Sequence, residues 1–171
     1  MSFGIYEASV PVFSNALGNM RDWLGKAAQE LDEATLMEAR LAHDMKPLPG
    51  QYQMASDTAK NALARLTASD APSMPDTEQS FAELRERCDK TIAYLNSFDE
   101  AALTGSEARE VELKFPNGHG YRWAGAAYLT GFALPNFYFH AATAYAILRH
   151  AGVTLGKPDF LQHLGPPDIT A

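Results

Sequence analysis

The stretch LPNFYFHAATAYAILRHAG, residues 134–152, contains the side chains of this chain that are best suited to chemistry. His140 lies four residues after Asn136 and four before Ala144, so a helix would place all three on one stripe. An imidazole nitrogen and an amide oxygen can both bind a metal, and metal sites in helical bundles draw three or more ligands from facing helices. The stretch therefore raises the question whether His140 binds a metal or is packed in a core.

The other ligands of such a site would come from the second helical region of the chain. Asp44, Gln53 or Asp57 could supply them, and we take His140, Asn136 and Asp44 as the candidate metal set. Such a set is weak for zinc or nickel, so we expect no cofactor, with a divalent zinc or nickel ion as the alternative. In the competing interpretation His140 hydrogen-bonds with Asn136 in a buried polar patch, because buried polar groups must find partners.

The remaining reactive side chains have structural explanations. His150 would meet the negative end of the helix dipole, and His43 and His119 lie in connectors. The single cysteine, Cys88, excludes an internal disulfide and lies in an amphipathic helical pattern that predicts a core thiol. We find no GxSxG elbow and no glycine-rich phosphate loop.

Aromatic residues are concentrated in the last third of the chain. They could line a small-molecule pocket, although a core or a dimer face is the more frequent role of such a cluster. The members are Tyr121, Trp123, Tyr128, Phe132, Phe137, Tyr138 and Phe139. As the candidate ligand-binding set we take Asn136, His140, Tyr121, Trp123 and Phe137.

Composition excludes several classes of function. The chain has 171 residues, of which 46% are apolar and 20% charged, which is typical of one globular domain. A net charge of −7 with only 14 Lys and Arg disfavours a nucleic-acid partner. No apolar stretch reaches the roughly 18 residues that a membrane span needs, and no leader pattern is visible. We expect a cytoplasmic protein without a membrane partner.

Apolar spacing predicts the first two long helices. The first covers about residues 2–31, and Pro11 inside it predicts a kink or a late helix start. A connector with buried apolar side chains follows and ends at the prolines and glycine of residues 47–50. The second helix has small alanines on its apolar side and covers about residues 51–66.

The second half of the chain contains two further helices and a hairpin. A third helix should start near Asp76, with Thr77 and Ser80 as other cap candidates, and Ser80 and Glu83 have the spacing of a capping box. Residues 109–123 alternate apolar and charged side chains about a Pro-Asn-Gly turn and predict a short β-hairpin. Residues 124–135 remain ambiguous between an extended segment and a short helical turn. The last helix should run from Leu134 to about Ala151 and end at a left-handed Gly152.

Four amphipathic helices and one hairpin predict an all-α fold. A four-helix bundle is the simplest way to bury four apolar stripes, whereas a parallel α/β sheet would need several strands. We expect one domain over residues 1–171, with an ordered core over about 2–160 and a tail over 161–171.

Three motifs of the sequence resemble a bacterial family. They are YEASVPVFSNALGNM, RLAHDMKPLPGQ and LPNFYFHAATAYAILRHAGVTLGKPDF, which together look like the uncharacterised DUF1993 family over about residues 2–160. That family is similar to the DinB-like superfamily of metalloenzymes. The resemblance implies an up-down-down-up four-helix bundle and a site of three histidines, one from the second helix and two spaced by four on the last.

This chain matches the implied histidine pattern at His140. Asn136 or Ala144 would take the second place on the last helix, and Asp44, Gln51 or Gln53 the place in the second-helix region. Some members of the superfamily are thiol-dependent transferases, a link that implies a cofactor such as mycothiol or bacillithiol.

Two hypotheses of function follow from the incomplete match. The first is a non-enzymatic or vestigial-site bundle that forms a homodimer and binds a small ligand or a partner. The second is a metal-dependent transferase or hydrolase with a non-standard site around His140. The homodimer is expected because two-fold homo-oligomers are common.

Overall fold

Helices carry most of the fold, and the computed structural model describes residues 4–169 of the chain. In chain order the elements are α1 (Ile5–Glu30), α2 (Glu33–Glu38), α3 (Leu48–Thr67), α4 (Phe81–Leu95), β1 (Glu110–Lys114), β2 (Gly120–Ala124), α5 (Gly125–Tyr128), α6 (Leu134–Ala151) and α7 (Lys157–Phe160). Residues 1–3 of the expected domain and residues 170–171 of the expected tail lie outside the described residues.

Polar contacts between the helices show their directions in the first half of the chain. α4 runs antiparallel to α1, because Ser14 contacts Asn96 just beyond the end of α4 while Arg21 contacts Asp89. α3 and α4 are parallel, since two contacts join like ends of the two helices. These contacts are Gln53 with Glu78, near the starts, and Tyr94 with the carbonyl of Asp70, near the ends.

The last long helix completes the bundle. α6 is antiparallel to α3, as Gln51 at the start of α3 meets His140, whereas Arg65 near its end meets Tyr128 ahead of α6. α6 is parallel to α1, since Phe13 contacts Phe137 and, further along both helices, Trp23 contacts Tyr145. The arrangement is the predicted up-down-down-up four-helix bundle.

The late helix start that Pro11 predicts is wrong. α1 begins at Ile5 and continues through Pro11 to Glu30. A proline inside a helix costs about 3 kcal/mol. Val10, Phe13 and Leu17 are buried on the inner side of α1, and burying each such side chain contributes about 1.5–3 kcal/mol. Tertiary burial therefore outweighs the local cost of the proline.

The connector between α3 and α4 is longer than the sequence predicts. α4 starts at Phe81 and not near Asp76, and Ser80 is its N-cap, accepting from the N–H of Glu83 at 3.2 Å. The Glu83 carboxylate accepts from the N–H of Gln79 rather than from Ser80, so the capping box is only half formed. Residues 68–80 form a strap along α3 and α4.

The predicted hairpin and its turn into the last helix are present. β1 and β2 pair antiparallel, with Val111 opposite Trp123. A Cβ at Gly125 would lie 1.9 Å from the carbonyl oxygen of Ser106, so the close approach at the start of α5 requires glycine. The ambiguous segment is helical, because α5 continues through a π-helical stretch at Leu129–Ala133 directly into α6.

The segment after α6 returns to α1. Gly152 ends α6 with a positive φ of 108°, as predicted. Trp23 donates from Nε1 to the carbonyl of Asp159 at 3.0 Å and stacks on Phe160. Asn19 donates to the carbonyl of Phe160 at 2.8 Å, so the segment around α7 lies against α1.

A single apolar core joins all four long helices. Its largest fully buried side chains include Trp23, Tyr52, Tyr128, Phe13 and Phe137. Within residues 4–169 we find no helix that is both long and apolar enough to cross a membrane.

Candidate functional site

His140 is a buried member of a hydrogen-bonded chain that links α6 to α3. Its side chain lies on the inner side of α6, where the residue is 9% exposed. Nδ1 of the ring is 2.9 Å from Oε1 of Gln51, in the first turn of α3. Gln51 in turn donates from Nε2 to the backbone carbonyl of Lys46 at 2.9 Å. The antiparallel packing of α3 against α6 therefore brings together two polar residues that are far apart in sequence.

The surroundings keep the His140 ring neutral. Burial lowers the pKa of His140, and the positive charge of Lys46 lowers it further. These two effects therefore favour the neutral imidazole over the imidazolium.

Asn136 does not pair with His140, so the predicted bond between them is wrong. Its Nδ2 donates to Oγ1 of Thr58 at 2.7 Å, and that hydroxyl donates to the carbonyl of Met54. Both polar residues of the α6 stripe thus contact α3, but through different partners. Sequence spacing showed only that they share a face.

The oxygen ligands expected from the second-helix region have other surroundings. Asp44 is exposed in the turn before α3. Gln53 donates to Glu78 at 2.8 Å, and Asp57 pairs with Arg87 and Lys60. Of the candidates in this region, Gln51 is the one that contacts His140.

The candidate aromatic residues lie in two different environments. Phe137 is fully buried and packs edge-on against Phe13, so it is a core residue. Tyr121 is 58% exposed and stacks on Trp123 with ring centroids 5.1 Å apart. Trp123 continues the stack onto Phe132 and the Tyr128 ring. Among the described residues, no ring contact joins this hairpin stack to His140.

Two sizeable cavities lie elsewhere on the molecule. One is an open pocket of about 620 Å³ between the start of α1, the segment after α4, and α5, with Leu103 and Leu129 among its lining residues. Another of about 700 Å³ lies between α2, the start of α3 and the strap, with Glu33 and Glu78 in its lining. None of the five candidate ligand-binding residues lines either cavity.

Comparison with known proteins places this bundle in a family. Residues 5–161 match the family described as "Domain of unknown function (DUF1993)". The chain belongs to the DUF1993 family. The crystal structure of a DinB family member protein from Shewanella denitrificans is 37% identical and has a TM-score of 0.85, covering 98% of this chain and 95% of that one. No curated protein matches the sequence.

The resemblance to DUF1993 and to the DinB-like fold is therefore confirmed. The match leaves the activity open, since one fold hosts many functions.

The side chains of this DUF1993 protein do not fit the metal that the DinB-like superfamily implies. Within residues 4–169 no group of three or more His, Cys, Asp or Glu side chains is placed to hold an ion. His140 meets the Gln51 amide, and the nearby charge of Lys46 repels a cation. One imidazole among amides is a weak donor set for zinc or nickel. The set of His140, Asn136 and Asp44 stays a prediction.

An ion-pair cluster around Arg87 is the polar feature that sequence reasoning missed in this DUF1993 protein. Arg87 is 3% exposed, and its guanidinium lies 2.8 Å from Asp57, 3.0 Å from Asp76 and 2.8 Å from Glu78. It also donates to the carbonyl of Pro75 at 3.2 Å, which fixes the strap. The signal was present, because position 87 falls beside Cys88 on the apolar stripe of α4.

Cys88 has the environment of an inert thiol. The side chain is fully enclosed, and burial raises the pKa of Cys88 to about 12, with a smaller contribution from the Asp89 charge. The nucleophilic thiolate is therefore negligible at neutral pH.

Proposed function

We propose that this DUF1993 protein is a non-enzymatic, metal-free binding protein that acts as a homodimer and takes a small molecule or a partner protein. One observation carries the proposal. At the position on α6 that matches the superfamily's metal ligand, His140 is hydrogen-bonded to Gln51 and lies near the Lys46 charge. The positive charge of Lys46 disfavours a cation at this ring and suits a neutral or anionic ligand that hydrogen-bonds to it.

Metal content tests the metal-free part of the proposal. Untagged protein purified without chelator is analysed by inductively coupled plasma mass spectrometry beside His140→Ala, with His150→Ala as the control from the same helix. We expect less than one tenth of a metal equivalent per chain in all three. About one equivalent of zinc, nickel or iron in the wild type, lost in His140→Ala and kept in His150→Ala, would refute it.

The same measurement decides the alternative function. His140 Nε2 makes no hydrogen bond to any residue between 4 and 169, and this free acceptor favours a metal-dependent transferase or hydrolase using His140, Asn136 and Asp44. Under this alternative, Asp44→Asn would also lose the metal. Under the proposal it would change nothing, because Asp44 is exposed in the turn before α3.

The outer face of α6 is the surface that best supports a homodimer. It exposes Pro135, Tyr138, Phe139 and Ala142, and the helix carries no formal charge from residue 134 to residue 148. The outer face of α4, in contrast, is strongly charged, with exposed residues that include Glu86. A chain of net charge −7 repels its copies, so a neutral apolar face is where two copies can meet at least electrostatic cost.

The dimer is tested by light scattering coupled to size exclusion. Phe139 is 56% exposed, and Phe139→Lys places a charge at the centre of the proposed face. The matched control is Ala93→Lys, at an exposed position of α4. We expect a dimeric wild type, a dimeric control and a monomeric Phe139→Lys. A monomeric wild type, or equal masses in the two variants, would contradict the proposed face.

A further inference from the structure

The amide of Gln51 has only one orientation that satisfies its two contacts. One end of the amide faces the backbone carbonyl of Lys46 at 2.9 Å. A carbonyl oxygen can only accept a hydrogen bond, so the group facing it must be the NH₂ of the amide. Oε1 of Gln51 therefore faces His140, and the network itself fixes the orientation.

The orientation of Gln51 determines which nitrogen of His140 carries the proton. Oε1 can only accept, and it lies 2.9 Å from Nδ1 of the ring, so Nδ1 must donate. A donating Nδ1 belongs either to the imidazolium or to the neutral Nδ1–H tautomer. The positive charge of Lys46 and the burial of the ring both disfavour the imidazolium.

The other ring nitrogen is available to a ligand. His140 Nε2 has no hydrogen-bond partner between residues 4 and 169. Among those residues the fully buried side-chain nitrogens and oxygens without a partner are Arg87 Nε and Arg109 Nε. Nε2 of His140 is not one of them, so this atom is not fully buried.

We propose that Gln51 is a positioning residue that holds His140 as the Nδ1–H tautomer, so that Nε2 presents an unprotonated lone pair to a ligand with an O–H or N–H donor. Lys46 selects the charge of that ligand, because its ammonium group repels a cation and leaves neutral or anionic donors. The inference rests on the proposed function only in assigning a ligand to this site, since the tautomer follows from the Gln51 contacts together with the burial of the ring and the Lys46 charge.

The tautomer is measured directly by nitrogen NMR. Protein labelled with ¹⁵N in its histidines is studied at pH 8 by long-range proton–nitrogen correlation, in which the unprotonated nitrogen of a neutral imidazole resonates far downfield of the protonated one. His140 is assigned by its absence in His140→Gln. The other four histidines serve as internal references. We expect the downfield signal of His140 to belong to Nε2 in the wild type.

Two variants test the role of Gln51. Gln51→Leu has a similar size but cannot accept a hydrogen bond, and we expect His140 to lose its Nδ1–H preference and populate the Nε2–H form. Gln51→Glu keeps an acceptor beside the ring, and we expect Nδ1 to remain protonated in this variant. Changed packing alone would not produce this pair of opposite results.

Each outcome bears on the inference. A downfield Nδ1 in the wild type would overturn it, as would a Gln51→Leu spectrum equal to that of the wild type. If Gln51→Leu folds poorly, the wild-type spectrum alone decides the tautomer. Stoichiometric metal in the purified protein would refute the proposed function and the assigned ligand class, but it would leave the Nδ1–H tautomer in place, because a metal bound to Nε2 keeps the proton on Nδ1.

Discussion

Arg87→Met should lower the free energy of unfolding by about 3 kcal/mol. The substitution removes the guanidinium and leaves the carboxylates of Asp57, Asp76 and Glu78 without their buried cation. Removing one member of a buried ion pair costs about 3–5 kcal/mol. The Glu78 side chain is only 11% exposed and would lose its cation, while the side chains of Asp57 and Asp76, at 27% and 51%, can rehydrate. Lys60 also remains beside Asp57, so the lower end of the range applies.

The control is Arg85→Met, two residues earlier on α4 and exposed to solvent. Urea unfolding at pH 7 gives the free energies, and a loss of about 3 kcal/mol in a domain of this size corresponds to a melting temperature lower by roughly 6–12 °C. Arg85→Met should lie within about 0.5 kcal/mol of the wild type. If the two variants proved equally stable, the Arg87 cluster would be a surface feature without energetic weight and the reasoning would fail.

Three further predictions concern other buried groups. Burial raises the pKa of Glu78, but hydrogen bonds from Arg87 and Gln53 outweigh burial and leave the pKa below the ordinary 4.5. The ionised Glu78 therefore stabilises the fold above pH 4.5, and this stabilisation is lost as the pH falls through the lowered pKa. Glu78→Gln should flatten the acid side of the plot of unfolding free energy against pH, and an unchanged plot would contradict the prediction. Since its pKa is raised to about 12, Cys88 should react with a thiol reagent at pH 8 only as fast as the protein unfolds, and rapid labelling of the native state would refute its burial. Tyr52→Phe removes a 2.8 Å bond from the hydroxyl to the carbonyl of Met20 and should cost about 1–2 kcal/mol in urea melts, whereas a neutral effect would argue against that bond.

Most of the fold was predictable from the sequence because its helices and its hairpin are specified by apolar spacing and by turn and cap residues close in sequence. Apolar spacing predicted the four long helices, the Pro-Asn-Gly turn predicted the hairpin, and Gly152 ended α6 as expected. The errors arose where a distant contact overrides a local signal. Pro75 and Asp76 have the composition of a helix start, but Arg87 pairs with Asp76 and donates to the carbonyl of Pro75, which holds this segment outside the helix.

The candidate site was predictable only in part, for the same physical reason. The stripe on α6 correctly placed His140 on the inner face of its helix. Its partner is Gln51, 89 residues earlier in the chain, and spacing within one helix carries no information about such a contact. Asn136 was predicted as the partner of His140 because it lies four residues away on the same helix, but its amide donates to Thr58 instead.

The polar residues of α3 explain why the bundle adopts one direction for each helix. Apolar stripes pack almost equally well against parallel and antiparallel neighbours, so burial alone leaves the choice open. No residue of α3 is exposed. Along its length, its polar side chains pair with α4 and the strap on one side of the helix and with α6 and α5 on the other. The pairs are Gln53 with Glu78, Ser56 with Thr91 and Asp57 with Arg87, then Gln51 with His140, Thr58 with Asn136 and Arg65 with Tyr128. Reversing α4 would separate Arg87 from its carboxylates, and reversing α6 would separate His140 from Gln51. Each reversal would leave buried polar groups unpaired at a cost of several kcal/mol, which is enough to select the observed topology.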